Sequence, residues 1–147
     1  YISSSFLDKK EPRYVNVGIR FSSDLIPKEL IKFTSGLENK YGRKRKRRWE
    51  SRSCDIDILL CDQQILPSRD YFVKWLKLDL SDQIKLVPDE LIIPHPRLQE
   101  RTFFLKPLND LQPDWIHPFL KLKAKEMLDS LPLNEIHNIK ELNAKNR

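Results

Sequence analysis

The chain has 147 residues, 33% of them charged, with 27 Lys+Arg against 21 Asp+Glu, 39% hydrophobic residues, 10 Pro and 3 Gly. That length and apolar fraction fit one ordinary globular domain with a modest core, and they exclude wholesale disorder. The longest apolar runs are far short of the roughly 20 residues that cross a bilayer, and no signal peptide is read.

Cys54 and Cys61 fall on opposite faces of one extended run, too far apart to bridge, which points to a reducing, cytoplasmic compartment. The net charge of +6 is local. Lys40, Arg43, Lys44, Arg45, Lys46, Arg47, Arg48 and Arg52 stand in one window with Glu50 as its only acid, and the remainder is about neutral. One segment therefore attracts anions.

In chain order, Tyr14 to Phe21 alternates with period two. Val15, Val17, Ile19 and Phe21 form a greasy core face, with Tyr14, Asn16, Gly18 and Arg20 on the other, so a strand is expected. Ile26, Leu30, Phe33, Leu37 and Tyr41 then recur at helical spacing, with Pro27 in the first turn and Gly42 after the last. The basic stretch that follows lacks apolar periodicity and reads as an exposed loop. Cys54 to Leu60 is a second expected strand, with Cys54, Ile56, Ile58 and Leu60 on one face and Asp55 and Asp57 on the other.

Residues 62–85 read as an insertion, within which Tyr71 to Leu78 fits either strand or helix. Pro88 to Pro96 is extended and Pro-punctuated, and Thr102 to Leu105 reads as another short strand. Beyond Pro118 two short helices broken at Pro132 are expected, forming a linker or a loosely docked appendage.

Two carboxylates at i and i+2 on a strand project to the same side about 6.6 Å apart, so their oxygens can converge on Mg²⁺. Alone, such a pair is more often a solvated face. A basic loop running directly into it is what a polyphosphate needs, with guanidinium forks for the oxygens and a cation for the remaining charge. The bland alternatives are a solvated loop or a basic nucleic-acid-binding or assembly module without catalysis. Nucleic-acid binding would interleave aromatics for stacking, and only Trp49 does so. Two Cys and three His without ligand spacing argue against zinc, and no nucleophile motif supports Ser/His/Asp hydrolysis.

The run Gly42-Arg-Lys-Arg45, Arg48-Trp49, Ser51-Arg52 and Asp55-Ile-Asp-Ile-Leu-Leu60, followed by Ile93-Pro-His-Pro-Arg97, Glu100-Arg101, Phe103 and Leu105-Lys-Pro-Leu108, resembles the 6-hydroxymethyl-7,8-dihydropterin pyrophosphokinase family of folate biosynthesis. The resemblance covers about Tyr1 to Pro118. It implies an α+β, ferredoxin-like sandwich with a mostly antiparallel sheet and helices packed on it. The chain opens inside what would be the second strand, so the usual amino-terminal strand and helix are expected to be missing. It also implies transfer of diphosphate from ATP to the pterin hydroxymethyl group with release of AMP, aided by two Mg²⁺ ions.

By the same resemblance, Asp55 and Asp57 ligate both ions. Arg43, Arg45 and Arg52 hold phosphates, and Trp49 lies on a loop closing over ATP. Ile58, His95 and Arg101 contact the nucleotide. Tyr14 and Phe103 sandwich the pterin ring, Asn16 reads its edge, and Ser3 and Phe6 match threonine and leucine-like positions beside it. Glu38 matches an acid near the active site. Pro96 and Glu90 depart from side chains that often contact nucleotide. Residues 1–118 are thus expected to form the pterin domain. Residues 119–147 would be a helical tail or linker to a possible fused or associated dihydropteroate synthase.

Overall fold

The computed structural model of the chain describes residues 1–4, 13–41 and 54–142. Its strands are β1 (Ile2–Ser3) and β2 (Tyr14–Val15). Its helices are α1 (Pro27–Lys40), α2 (Arg69–Leu76), α3 (Leu80–Lys85), α4 (Thr102–Leu111), α5 (Ala124–Asp129) and α6 (Leu133–His137), with a 3-10 turn at Leu98–Glu100. A short antiparallel sheet with helices makes the class α+β. Two compact units divide it: Tyr1–Phe21 with Leu98–Arg147, and Ser22–Arg97. Among the described residues no helix is long and apolar enough to cross a membrane.

The first unit is organised by α4. Phe104, Leu105 and Leu108 stand at i, i+1 and i+4, a helical stripe, and are buried with Leu98 of the 3-10 turn and Ala124, Met127 and Leu128 of α5. Fully burying side chains such as Leu105 and Met127 stabilises by about 1.5–3 kcal/mol each. The expected strand at Thr102 to Leu105 is therefore corrected to a helix: its apolar run is too short to distinguish the two periods, and burial on one helical face decides. Pro107 lies inside α4 and removes one internal hydrogen-bond donor.

The tail does form the two expected short helices on either side of Pro132. It is not loosely docked, however. Met127 is 1% exposed and Ile139 is buried, while Lys140 and Ile2 exchange both backbone hydrogen bonds at 2.7 and 3.0 Å.

β1 and β2 pair antiparallel with Ile2 opposite Val15 and Ser3 opposite Tyr14. The expected strand from Tyr14 to Phe21 is assigned as strand only at its first two residues. Its alternation persists, but inverted: Val17 and Ile19 are 74% and 77% exposed, and Val15 and Phe21 are exposed too. The reason is Gly18, where an added Cβ would meet Pro107 Cβ at 2.8 Å and Leu111 Cδ1 at 2.9 Å. The face carrying Gly18 lies against α4, so the apolar face turns out.

In the second unit α1 begins as expected, with Pro27 at its first position and Glu29 accepting a hydrogen bond from the Ile26 N–H at 3.2 Å. The buried face is rotated from the expected stripe. Leu30, Thr34 and Glu38 are buried, whereas Ile26, Phe33 and Tyr41 are exposed. α2 resolves the ambiguity at residues 71–78 as helix, capped by Ser68 Oγ accepting from the Tyr71 N–H and burying Phe72 completely. α3 starts on Asp79, whose carboxylate accepts from the Asp82 N–H at 2.9 Å. Leu66 and Ile93 form an antiparallel bridge, and Ile92, Ile93 and Pro94 are buried.

Candidate active site

Cys54 to Leu60 keeps the expected alternation, with Asp55 and Asp57 exposed and Cys54, Ile56 and Ile58 half-buried. It is not assigned as a strand. Its backbone is instead held at two points by groups that are not strands. The Ile56 N–H, between the two aspartates, donates to Glu38 Oε1 at 2.9 Å. The carbonyl of Leu59 accepts from the His95 N–H at 2.8 Å. Glu38 is only 3% exposed, a carboxylate whose desolvation is offset by hydrogen bonding.

Asp55 and Asp57 are two exposed carboxylates, which are hard oxygen donors. Among the described residues no group of three His, Cys, Asp or Glu could hold a metal ion. That set fits Mg²⁺, which keeps several waters and takes one or two carboxylates plus substrate phosphate oxygens. Cys54 and Cys61 are free thiols, and burial pushes the Cys61 thiol upward in pKa, so it is a poor nucleophile.

His95 is half-buried between Pro94 and Pro96, and its Nδ1 accepts from the Arg97 N–H at 3.1 Å. Arg97 is buried, and its guanidinium donates to the carbonyls of Trp75, Leu76 and Leu78 at the end of α2, at 3.0, 3.2 and 2.7 Å.

The expected pterin residues lie in the first unit. Asn16 Nδ2 donates to Ser3 Oγ at 2.9 Å, and the Asn16 N–H donates to the Tyr1 carbonyl at 2.8 Å, so pairing across the small sheet fixes this amide. Ser3 is buried, while Tyr14 and Asn16 are half-buried. Phe103 stands in the first turn of α4, where the Arg101 guanidinium lies 5.7 Å from its ring centroid and 5.5 Å from that of Phe104. A residue expected to contact nucleotide and one expected to contact pterin thus touch directly, as a cation–π pair.

Ser3, Asn16 and Tyr14 are brought together, as are Arg101 and Phe103. Asp55, Asp57 and Ile58 share one segment, tied through Leu59 to His95. Phe6, Arg43, Arg45, Trp49 and Arg52 lie outside the described residues.

A family model described as 7,8-dihydro-6-hydroxymethylpterin-pyrophosphokinase (HPPK) matches residues 1–113. The chain belongs to this family. Among curated relatives, the folic acid synthesis protein FOL1 of Dictyostelium discoideum is 34% identical over an alignment of 145 positions that covers 93% of this chain and 19% of that protein. The 2-amino-4-hydroxy-6-hydroxymethyldihydropteridine pyrophosphokinase of Aquifex aeolicus is 29% identical over 126 residues, 86% of this chain and 66% of that protein. The protein of the same name from Pseudomonas aeruginosa is 34% identical over 114 residues, 78% of this chain and 58% of that protein. The chain therefore spans less than two thirds of the length of each.

For a member of the HPPK family, two residues carry more of this geometry than sequence reasoning assigned them. Arg97 closes the motif, and the resemblance gives it no role. The signal was a lone charge closing the run Leu91-Ile-Ile-Pro-His-Pro-Arg97, a setting in which a guanidinium is buried only if paired. For Glu38 the resemblance alone implies a place near the site. Its position one turn after Thr34, on the stripe that α1 buries, is what structure adds.

Proposed function

We propose that this chain transfers diphosphate from ATP to the hydroxymethyl oxygen of 6-hydroxymethyl-7,8-dihydropterin, releasing AMP, as a step of folate biosynthesis. The observation that carries the reading is the pair Asp55 and Asp57, exposed to one side of a segment whose backbone Glu38 pins between them, in a chain of the HPPK family. The pterin hydroxyl oxygen attacks the β-phosphorus and gives up its proton to solvent, the bond from that phosphorus to the α,β-bridging oxygen breaks, and AMP departs with the electron pair. No covalent enzyme intermediate is needed.

Asp55 and Asp57 would hold two Mg²⁺ ions, which when bound offset charge on the phosphates. Arg43, Arg45 and Arg52 hold phosphate oxygens as bidentate forks, and Trp49 belongs to the loop that excludes water over ATP. Ile58, His95 and Arg101 contact the nucleotide. Tyr14 and Phe103 flank the flat pterin ring, Asn16 reads its edge, and Ser3 and Phe6 complete that side. The Asn16 to Ser3 hydrogen bond supports this, because it fixes the amide before substrate arrives.

The reading extends to a ferredoxin-like sandwich for residues 1–118 and to a cytoplasmic setting, which suits free Cys54 and Cys61. It also extends to a fused or associated dihydropteroate synthase following the tail. The length of the FOL1 relative, of which this chain matches 19%, supports that last element.

The test is AMP release from ATP, followed with and without the pterin and with and without Mg²⁺. AMP that appears only when both are present is expected. ATP turnover indifferent to pterin, or none with both present, overturns the reading.

A further inference from the structure

Two of the three histidines share one local frame. His95-Pro96-Arg97 and His117-Pro118-Phe119 each place a proline after the histidine. Proline has no N–H, so the nearest downstream backbone donor is two residues on. In both frames that N–H donates to the imidazole Nδ1 at 3.1 Å. A backbone N–H only donates, so Nδ1 carries the lone pair and the proton of the neutral ring sits on Nε2.

The frames differ in what holds the donor. His117 is fully buried, and a second N–H, from Leu120, also reaches its Nδ1 at 3.2 Å. The donor to His95 Nδ1 belongs to Arg97, and Arg97 is immobilised through its side chain. Arg97 is 7% exposed, and its guanidinium is held by hydrogen bonds to three carbonyls at the end of α2. On the other side, the His95 N–H is tied to Leu59, two residues beyond Asp57.

We infer that Arg97 is a positioning residue for phosphate recognition. Its guanidinium plugs the carbonyl end of α2, which fixes its own amide, and that amide holds the His95 imidazole with Nε2–H as a set donor to a nucleotide phosphate oxygen. The inference rests on the nucleotide role proposed above for His95. It makes α2, part of the segment that reads as an insertion, the support of a binding residue outside it.

The experiment uses ¹⁵N-labelled full chain and long-range ¹H–¹⁵N correlation of the imidazoles, with signals assigned by single His→Gln variants. It is paired with calorimetric titration of ATP with Mg²⁺. In the unaltered chain His95 and His117 both show the Nε2–H pattern. In Arg97→Met, His95 should lose its pure Nε2–H pattern while His117 keeps it, and the Kd for ATP should rise about tenfold. Arg97→Lys, which restores a donor but not the fork, should fall between the two. A His95 pattern that is unchanged in Arg97→Met, or that is not Nε2–H in the unaltered chain, overturns the positioning role. A changed pattern with unchanged ATP affinity overturns the nucleotide role of His95 instead. If Arg97→Met loses the dispersed backbone amide signals of Ser22–Arg97, that unit has lost its fold and Arg97→Lys decides, a changed His95 pattern supporting the inference and an unchanged one overturning it.

Discussion

Tyr14 to Phe21 and Cys54 to Leu60 carry the same signal, apolar and polar residues in strict alternation, and they resolve in opposite senses. In the second, Ile56 and Ile58 are half-buried and Asp55 and Asp57 exposed. In the first, Val17 and Ile19 are exposed and the Tyr14, Asn16 and Gly18 face is half-buried. Alternation fixes which residues share a face. What the backbone approaches fixes which face is inward. Glu38 and His95 grip the second segment through hydrogen bonds to Ile56 and Leu59. α4 approaches the first so closely at Gly18 that the opposite face has to turn away.

If the outward face of the second segment is the chemical one, removing charge from it must cost activity and spare the fold. Asp55→Asn and Asp57→Asn should each lower turnover by at least about a hundredfold, because an amide is a poor ligand for a hard cation. Each should change unfolding free energy by less than about 1 kcal/mol, because both side chains are exposed. Steady-state AMP release and urea denaturation read the two effects. Normal turnover in either variant would break the assignment.

Glu38→Ala tests the grip itself. It leaves the Ile56 N–H without its acceptor, at a cost of about 1–3 kcal/mol in stability, and it loosens the backbone between the aspartates. We expect about tenfold lower turnover as well. Glu38→Gln keeps an acceptor oxygen at the same reach and should recover most of both. If Gln is as damaging as Ala, the carboxylate charge and not this hydrogen bond is what matters.

These contrasts show how far the sequence was legible. The helix over Pro27–Lys40 is readable because proline and periodicity agree, and the tail helices because Pro132 divides them. Asp55 and Asp57 were legible as an exposed pair because alternation alone puts them opposite Ile56 and Ile58. The helix at Thr102–Leu111 was not, since Phe103-Phe104-Leu105 suits either period and Pro107 argues against a helix interior. Nor was the anchoring of Arg97, which depends on carbonyls about 20 residues earlier in the chain, at Trp75, Leu76 and Leu78. Local pattern carries no record of a partner that distant.

The comparison is sharpened by two substitutions on neighbouring residues of the first segment. Gly18→Ala adds one methyl group. The atom it meets at 2.8 Å is Cβ of Pro107, held in a ring within α4, and only Leu111 Cδ1 at 2.9 Å can swing aside. Overpacking of this kind should destabilise by about 1–2 kcal/mol, read as a lower urea midpoint with an unchanged slope. Val17→Thr, one residue away on the face that is 74% exposed, should change stability by less than about 0.5 kcal/mol. If the two cost the same, the orientation drawn here is wrong. If Val17→Thr costs more than about 1 kcal/mol, the apolar face of Val15, Val17 and Ile19 is covered in solution, and exposure ceases to distinguish the two segments.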